Sequence, residues 1–190
     1  GMEHVSEFLS ELDEPIILNL IGDEPPEKIA KLFQKLGVND QADILALFSD
    51  EKTQSVLDLL NAEKQEEVEE IMSYPVDSAA SIMTTDVFTL HQNIIAYEAI
   101  KELQKQEKSE MVFYLYITDD DNRLTGVISL RDLVTTPPET SLIDIMTKNV
   151  VSVRPETDQE EVAKIVARYN YLAVPVVDMD DSMLGIITVD

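Results

Sequence analysis

The stretch "YPVDSAASIMT", residues 74–84, closes a run of helical periodicity and opens one rich in β-branched residues. Its ending returns in "SLIDIMTKNVVSV", residues 141–153. Ile82-Met83-Thr84 and Ile145-Met146-Thr147 stand 63 residues apart, and that offset carries Val87 to Val150, Leu90 to Val153 and Leu103 to Val166. Further on the offset contracts to 59, joining Asp119 to Asp178, Gly126 to Gly185 and "GVIS" to "GIIT". Self-similarity at a fixed offset predicts two copies of one small unit. Each copy reads β-α-β-β-α: an amphipathic helix, a strand ("MVFYLYIT" or "LAVPVVD"), an acidic turn, a second strand, and in the first copy a short helix beginning near Ser129 to Asp132. The extra residues of the first copy fall in "KQEKSE", a helix-to-strand loop where insertion costs little.

Upstream of this pair a different repeat runs. Leu32, Ile44, Val56 and Val68 are spaced by twelve, as are Leu36, Phe48, Leu60 and Met72. The breakers Gly37, Ser49, Asn61 and Ser73 keep the same step. An apolar pair four apart marks one helical face, so each unit reads as a short helix and a turn, with Pro25 and Pro26 opening the first. No such helix buries its face alone, which predicts a small helical stack. Its outer surface carries Asp40, Asp43, Asp50, Glu51, Asp58 and the glutamates from Glu63 to Glu70, either as a solvated face or as one that meets cations.

Composition narrows the function. The chain has 190 residues, 38 acidic against 14 basic, a net charge of −24 and no cysteine. The charge argues against nucleic acid and anionic membranes as partners, and divalent cations relieve such self-repulsion. Without cysteine there is no thiolate metal site, disulfide or cysteine nucleophile. The longest apolar run, "PIILNLI", is far short of a membrane span, and the acidic N-terminus does not resemble a signal peptide. Gly1 before Met2 reads as a cloning remnant. His4 and His91 are isolated, and no catalytic constellation surrounds them, so an enzyme is not expected. "DDDNRL" and "DMDDSM" read as acidic hairpin turns, since neither has the bend glycine and closing glutamate of a calcium loop.

Two units of this pattern, each opening on "IMT" and closing on "GVIS" or "GIIT", resemble tandem CBS domains. Together with "GVISLRDLV", "TDQEEVAKIVARYNYLAVPVVD" and "GIITVD", they are similar to the cytosolic part of MgtE-type magnesium transporters, in which an acidic helical domain precedes the CBS pair and a membrane domain follows. The resemblance implies an α+β chain: a short helical N-domain over 1–73, a first CBS domain over 74–139 and a second over 140–190, cut before its last helix. It also implies a homodimer through the CBS domains, with Ile94, Ile95, Ile100, Val162, Ile165 and Val166 as candidate dimer contacts, at the cytoplasmic face of the inner membrane.

Two binding sites are expected. The first takes ATP or AMP. Ser129 and Asp132 at a helix start suit phosphate and a ribose diol, while the resemblance adds Arg131 and the adenine-wall residues Tyr114 and Tyr171. The competing reading makes Ser129 and Asp132 a capping pair and the tyrosines packing residues. The second site takes regulatory Mg²⁺. The resemblance puts Asp158, Glu160 and Asp190 at metal positions, and Asn170 where an acid is usual. Here the competing reading is a capping box of Thr157 with Glu160, leaving Asp158 free to face a partner. The function expected is Mg²⁺ sensing for a transporter; the alternative is a freestanding CBS sensor of adenosine nucleotides with a helical partner-binding domain.

Overall fold

The structure, a computed structural model, describes residues 12–106 and 114–189. Five helices come first: α1 (Glu14–Ile21), α2 (Pro26–Phe33), α3 (Val38–Ala46), α4 (Asp50–Leu57) and α5 (Ala62–Ser73). From α2 onward each helix starts twelve residues after the last, at 26, 38, 50 and 62. Three of the four breakers prove to be N-caps, Gly37, Ser49 and Asn61, the last two accepting the backbone N–H of Lys52 and Lys64, while Ser73 is the last residue of α5.

The helices are joined by a second device in the same register. Gln41, fully buried on α3, donates from Nε2 to the carbonyls of Phe33 and Leu36 at 2.8 Å each. Twelve residues later, Thr53 donates to the carbonyl of Leu45 at 3.0 Å. α3 and α4 thus each add a side-chain donor to carbonyls at the end of the helix before. The apolar stripe is wider than the sequence reading: Phe33, Leu45 and Leu57 are buried beside Ile44, Val56 and Val68, whereas Met72 is exposed.

The repeated half opens with the four-residue helix α6 (Ala79–Ile82), then β1 (Thr89–His91), α7 (Ala96–Gln104), β2 (Tyr114–Thr118), β3 (Leu124–Ser129) and α8 (Leu130–Thr135). The second copy runs α9 (Leu142–Ile145), α10 (Gln159–Tyr169), β4 (Ala173–Val177) and β5 (Met183–Thr188). In the first copy β1 pairs parallel with β2, and β2 antiparallel with β3. In the second, β4 and β5 pair antiparallel, and the strand equivalent to β1 shrinks to the parallel bridge of Val153 with Val176. The acidic turns form as read: Asp119 accepts the N–H groups of Asp121 and Arg123, and Asp178 those of Asp180 and Ser182.

The copies interlock. Thr84 bridges Ile186 in the second copy, and Thr147 bridges Val127 in the first. A Cβ on Gly126 would stand 2.5 Å from the sulfur of Met146, and one on Gly185 would stand 2.9 Å from that of Met83 and 2.5 Å from the carbonyl oxygen of Thr84. Each "IMT" methionine therefore lies on the glycine of the other copy, which is why the two motifs recur together.

Of the residues expected at a dimer face, Val162 is buried, Ile94, Ile100, Ile165 and Val166 are half-buried and pack against the cores, and Ile95 is half-buried before α7. The apolar side chains left in solvent include Val76, Ile82, Tyr97, Leu130 and Val134 in the first copy and Tyr169, Leu172, Met179 and Val189 in the second. No helix among the described residues is long and apolar enough to cross a membrane.

Candidate functional site

Ser129 ends β3 and caps α8, its hydroxyl accepting the backbone N–H of Asp132 at 3.0 Å. Ser129 therefore caps α8 alone, and the short helix leaves the neighbouring Arg131 and Asp132 exposed. Tyr114 lies directly across the sheet from Ser129, so these two candidate nucleotide residues share one end of the β2–β3 pair, and Arg131 and Asp132 follow on α8. Tyr171 comes from the other copy, stacked on Tyr169 with ring centroids 5.4 Å apart. Tyr116, two residues along β2 from Tyr114 and missed by the sequence reading, is buried against Val177 and Met183 of the second copy. Its hydroxyl is pushed well up by burial first and then by the neighbouring phenols of Tyr114 and Tyr171. Alternation along β2 was the available signal, since Tyr114 and Tyr116 share a face.

The metal candidates behave differently. The helix α10 starts one residue later than expected: Asp158 is the N-cap, accepting the N–H of Glu160 at 2.7 Å, and Thr157 accepts that of Arg154. Asp158 is thus not left over from a capping box but is itself the cap, because a carboxylate competes well with a hydroxyl for a helix start. Glu160 is exposed in the first turn, and Asp190 lies outside the described residues. Asn170 closes α10 in the left-handed region, φ 53°, a conformation that suits an asparagine better than an acid with a longer side chain. Among the described residues no three His, Cys, Asp or Glu side chains gather as a metal cluster.

Asp158 nevertheless faces the helical domain's exit. Ser78 bridges Asp158, Gln159 donates its N–H to the carbonyl of Asp77, and its side chain reaches the Asp77 carboxylate at 3.3 Å. Close by, the Tyr74 phenol is pushed up by burial, then by the charges of Glu70, Glu156 and Asp178. Glu70 belongs to α5, while Glu156 and Asp178 belong to the second copy. Carboxylates from both parts of the chain therefore act on one tyrosine. On α3, Asp43 is raised to about 6 by burial, with Asp40 and Glu14 adding repulsion.

Two cavities lie apart from these residues. One, of about 480 Å³, is lined by Gln92, Ile143, Met146, Lys148 and Asp181 among others. The other, of about 360 Å³, lies beside His91, Glu98 and Glu102.

Comparison with known proteins accounts for both halves. The MgtE intracellular N domain matches residues 2–77, and the CBS domain matches 79–139 and 142–190. The magnesium transporter MgtE of Enterococcus faecalis is 41% identical over 68% of this chain and 29% of its own length. That of Bacillus subtilis is 31% identical over 100% of this chain and 42% of its own length, so the chain spans less than half of these relatives. Two crystal structures each cover 100% of the chain: the soluble part of a magnesium transporter (TM-score 0.89, 32% identity, 75% of that chain) and the cytosolic domain of the Mg²⁺ channel MgtE in complex with ATP (TM-score 0.88, 34% identity, 78% of that chain). A helical stack with a twelve-residue step, followed by two interlocked β-α-β-β units, is thus the arrangement of the MgtE family, and this chain belongs to it.

Proposed function

We propose that the chain is the cation-responsive regulatory region of a magnesium transporter, in which Mg²⁺ links the helical domain to the CBS pair and the linkage governs a membrane domain elsewhere in the protein. The observation that supports this best is the junction where Gln159 of the CBS pair bonds both the backbone carbonyl and the carboxylate of Asp77, beside Tyr74, whose phenol is raised by burial and then by the charges of Glu70, Glu156 and Asp178. Asp158, bridged to Ser78, and Glu160 are both exposed at the start of α10. Mg²⁺ prefers oxygen ligands, keeps several waters and needs only one or two carboxylates from each surface, so an open rim suits it better than a closed cage. A single exposed pair of like charges at 4 Å repels by only about 1 kcal/mol in water, but several carboxylates facing across one junction add. The role is regulatory rather than catalytic, and the region sits at the cytoplasmic face of the inner membrane.

Small-angle scattering over a Mg²⁺ titration at constant ionic strength tests the bridge. The radius of gyration is expected to fall for the wild type and to need more Mg²⁺ in Asp158→Ala/Glu160→Ala; identical curves sink the assignment.

A nucleotide completes the reading: ATP or AMP held by Asp132 on its ribose, with Arg131, Ser129, Tyr114 and Tyr171 around it. The ATP complex of the related cytosolic domain supports it. Calorimetry is expected to show Asp132→Ala weakening ATP by roughly 1.5–3 kcal/mol, the range for hydrogen bonds to a charged group. Equal heats in the two proteins reject that role.

A further inference from the structure

We propose that Tyr116 reads the base of the bound nucleotide, its hydroxyl donating to a ring nitrogen of an adenine held between Tyr114 and Tyr171. This role rests on the nucleotide proposed above and names the group that recognises the purine.

Tyr116 stands in the middle of β2 and is only 3% exposed. Val177 and Met183 of the second copy are buried with it, and Val127 and Val150 pack against the same cluster. All four are apolar and offer its hydroxyl nothing to bond. Among the described residues that hydroxyl has no hydrogen-bond partner, although a buried phenol ordinarily finds one. The described side-chain atoms sealed from solvent without a partner are Asn39 Oδ1, Gln41 Oε1, Ser78 Oγ and Arg154 Nη1. Tyr116 Oη is not one of them, so the small accessible part of this residue includes its polar end.

Alternation along β2 gives Tyr114 and Tyr116 the same face, and Tyr171 approaches from the other copy. After burial, the phenols of Tyr114 and Tyr171 raise that of Tyr116 further, so it keeps its proton and remains a donor. Two half-buried rings and one buried hydroxyl thus converge. An adenine between two such rings stacks on them and carries acceptor nitrogens at its edge, the complement of a buried donor.

The second copy shows what the fold itself needs here. β4 and β5 pair in the same register as β2 and β3: Tyr116 opposite Val127 becomes Pro175 opposite Ile186, and Tyr114 opposite Ser129 becomes Ala173 opposite Thr188. Pro175 is buried as Tyr116 is, without a polar side-chain atom. Packing at this register therefore needs no hydroxyl. The tyrosines stand only on the strand whose partner leads into Arg131 and Asp132, where the nucleotide is placed.

The test is calorimetry with ATP and its 1-deaza, 3-deaza and 7-deaza analogues on the wild type and on Tyr116→Phe, which keeps the ring and its packing. The variant is expected to bind ATP roughly tenfold more weakly, the effect of about one hydrogen bond. One of the three analogues is expected to lose the same factor on the wild type and nothing more on the variant, because the two changes remove opposite ends of one bond. Without ligand the variant is expected to melt no lower than the wild type, since its hydroxyl has no protein partner to lose. Equal ATP affinity in the two proteins overturns the role, as does a loss that adds in full to that of every analogue, or a ligand-free variant that melts lower. If Asp132→Ala weakens ATP and Tyr116→Phe does not, the nucleotide stands and the role of Tyr116 falls; a wild type that binds no ATP removes both.

Discussion

Asp43 carries a prediction of its own. Its carboxyl has an ordinary value of 3.8 and about 6 in the folded chain, so the native state holds the proton more tightly than the unfolded one. Stability from this group therefore rises as pH falls from about 6 toward 4, and is lost as pH climbs through the same window. Asp43→Asn removes the charge without removing the shape. In urea melts the variant is expected to be more stable than the wild type at pH 7, with the gap narrowing at pH 5; a gap that does not change with pH removes Asp43 as its source. At this scale the sequence was legible where a residue acts on its close neighbours. The capping of α8 by Ser129 and the turns closed by Asp119 and Asp178 were readable from spacing alone. Asp158 was misjudged because two good cap residues stand in succession, and only the path of the chain from Arg154, whose N–H takes the Thr157 hydroxyl, decides between them.

The elements show where such reading ends. A step of twelve placed α2 to α5 because a turn of cap-forming residues recurs with it, and local chemistry sets a helix start. The burial pattern was less legible. Every helix in a stack meets a neighbour on two sides, so a stripe drawn for one face missed Phe33, Leu45 and Leu57. Gln41 was invisible for another reason: a buried glutamine looks like an error in an apolar pattern until the carbonyls of Phe33 and Leu36 are seen to need it. The nucleotide candidates split similarly. Ser129, Arg131 and Asp132 are one local motif, but Tyr114 joins them only through the antiparallel register, and Tyr171 belongs to the other copy.

For the whole molecule, the burial of Val162 and the packing of its neighbours against the cores move the expected homodimer contact to side chains that remain in solvent. Tyr97 on α7 and Val134 on α8, each more than half exposed, lie on helices that pack together. We propose that this pair of helices meets its twin across a two-fold axis, the commonest closed arrangement. Sedimentation is expected to show dimers for the wild type and monomers for Tyr97→Lys/Val134→Lys; an unchanged dimer places the contact elsewhere. The interlocking of the copies bears on ancestry. A single ancient unit has a methionine with no glycine to rest on and a glycine with nothing above it, and two separate chains of that unit satisfy each other at both places. Joining the gene end to end then turns a contact between molecules into one within a molecule, with no new surface to invent.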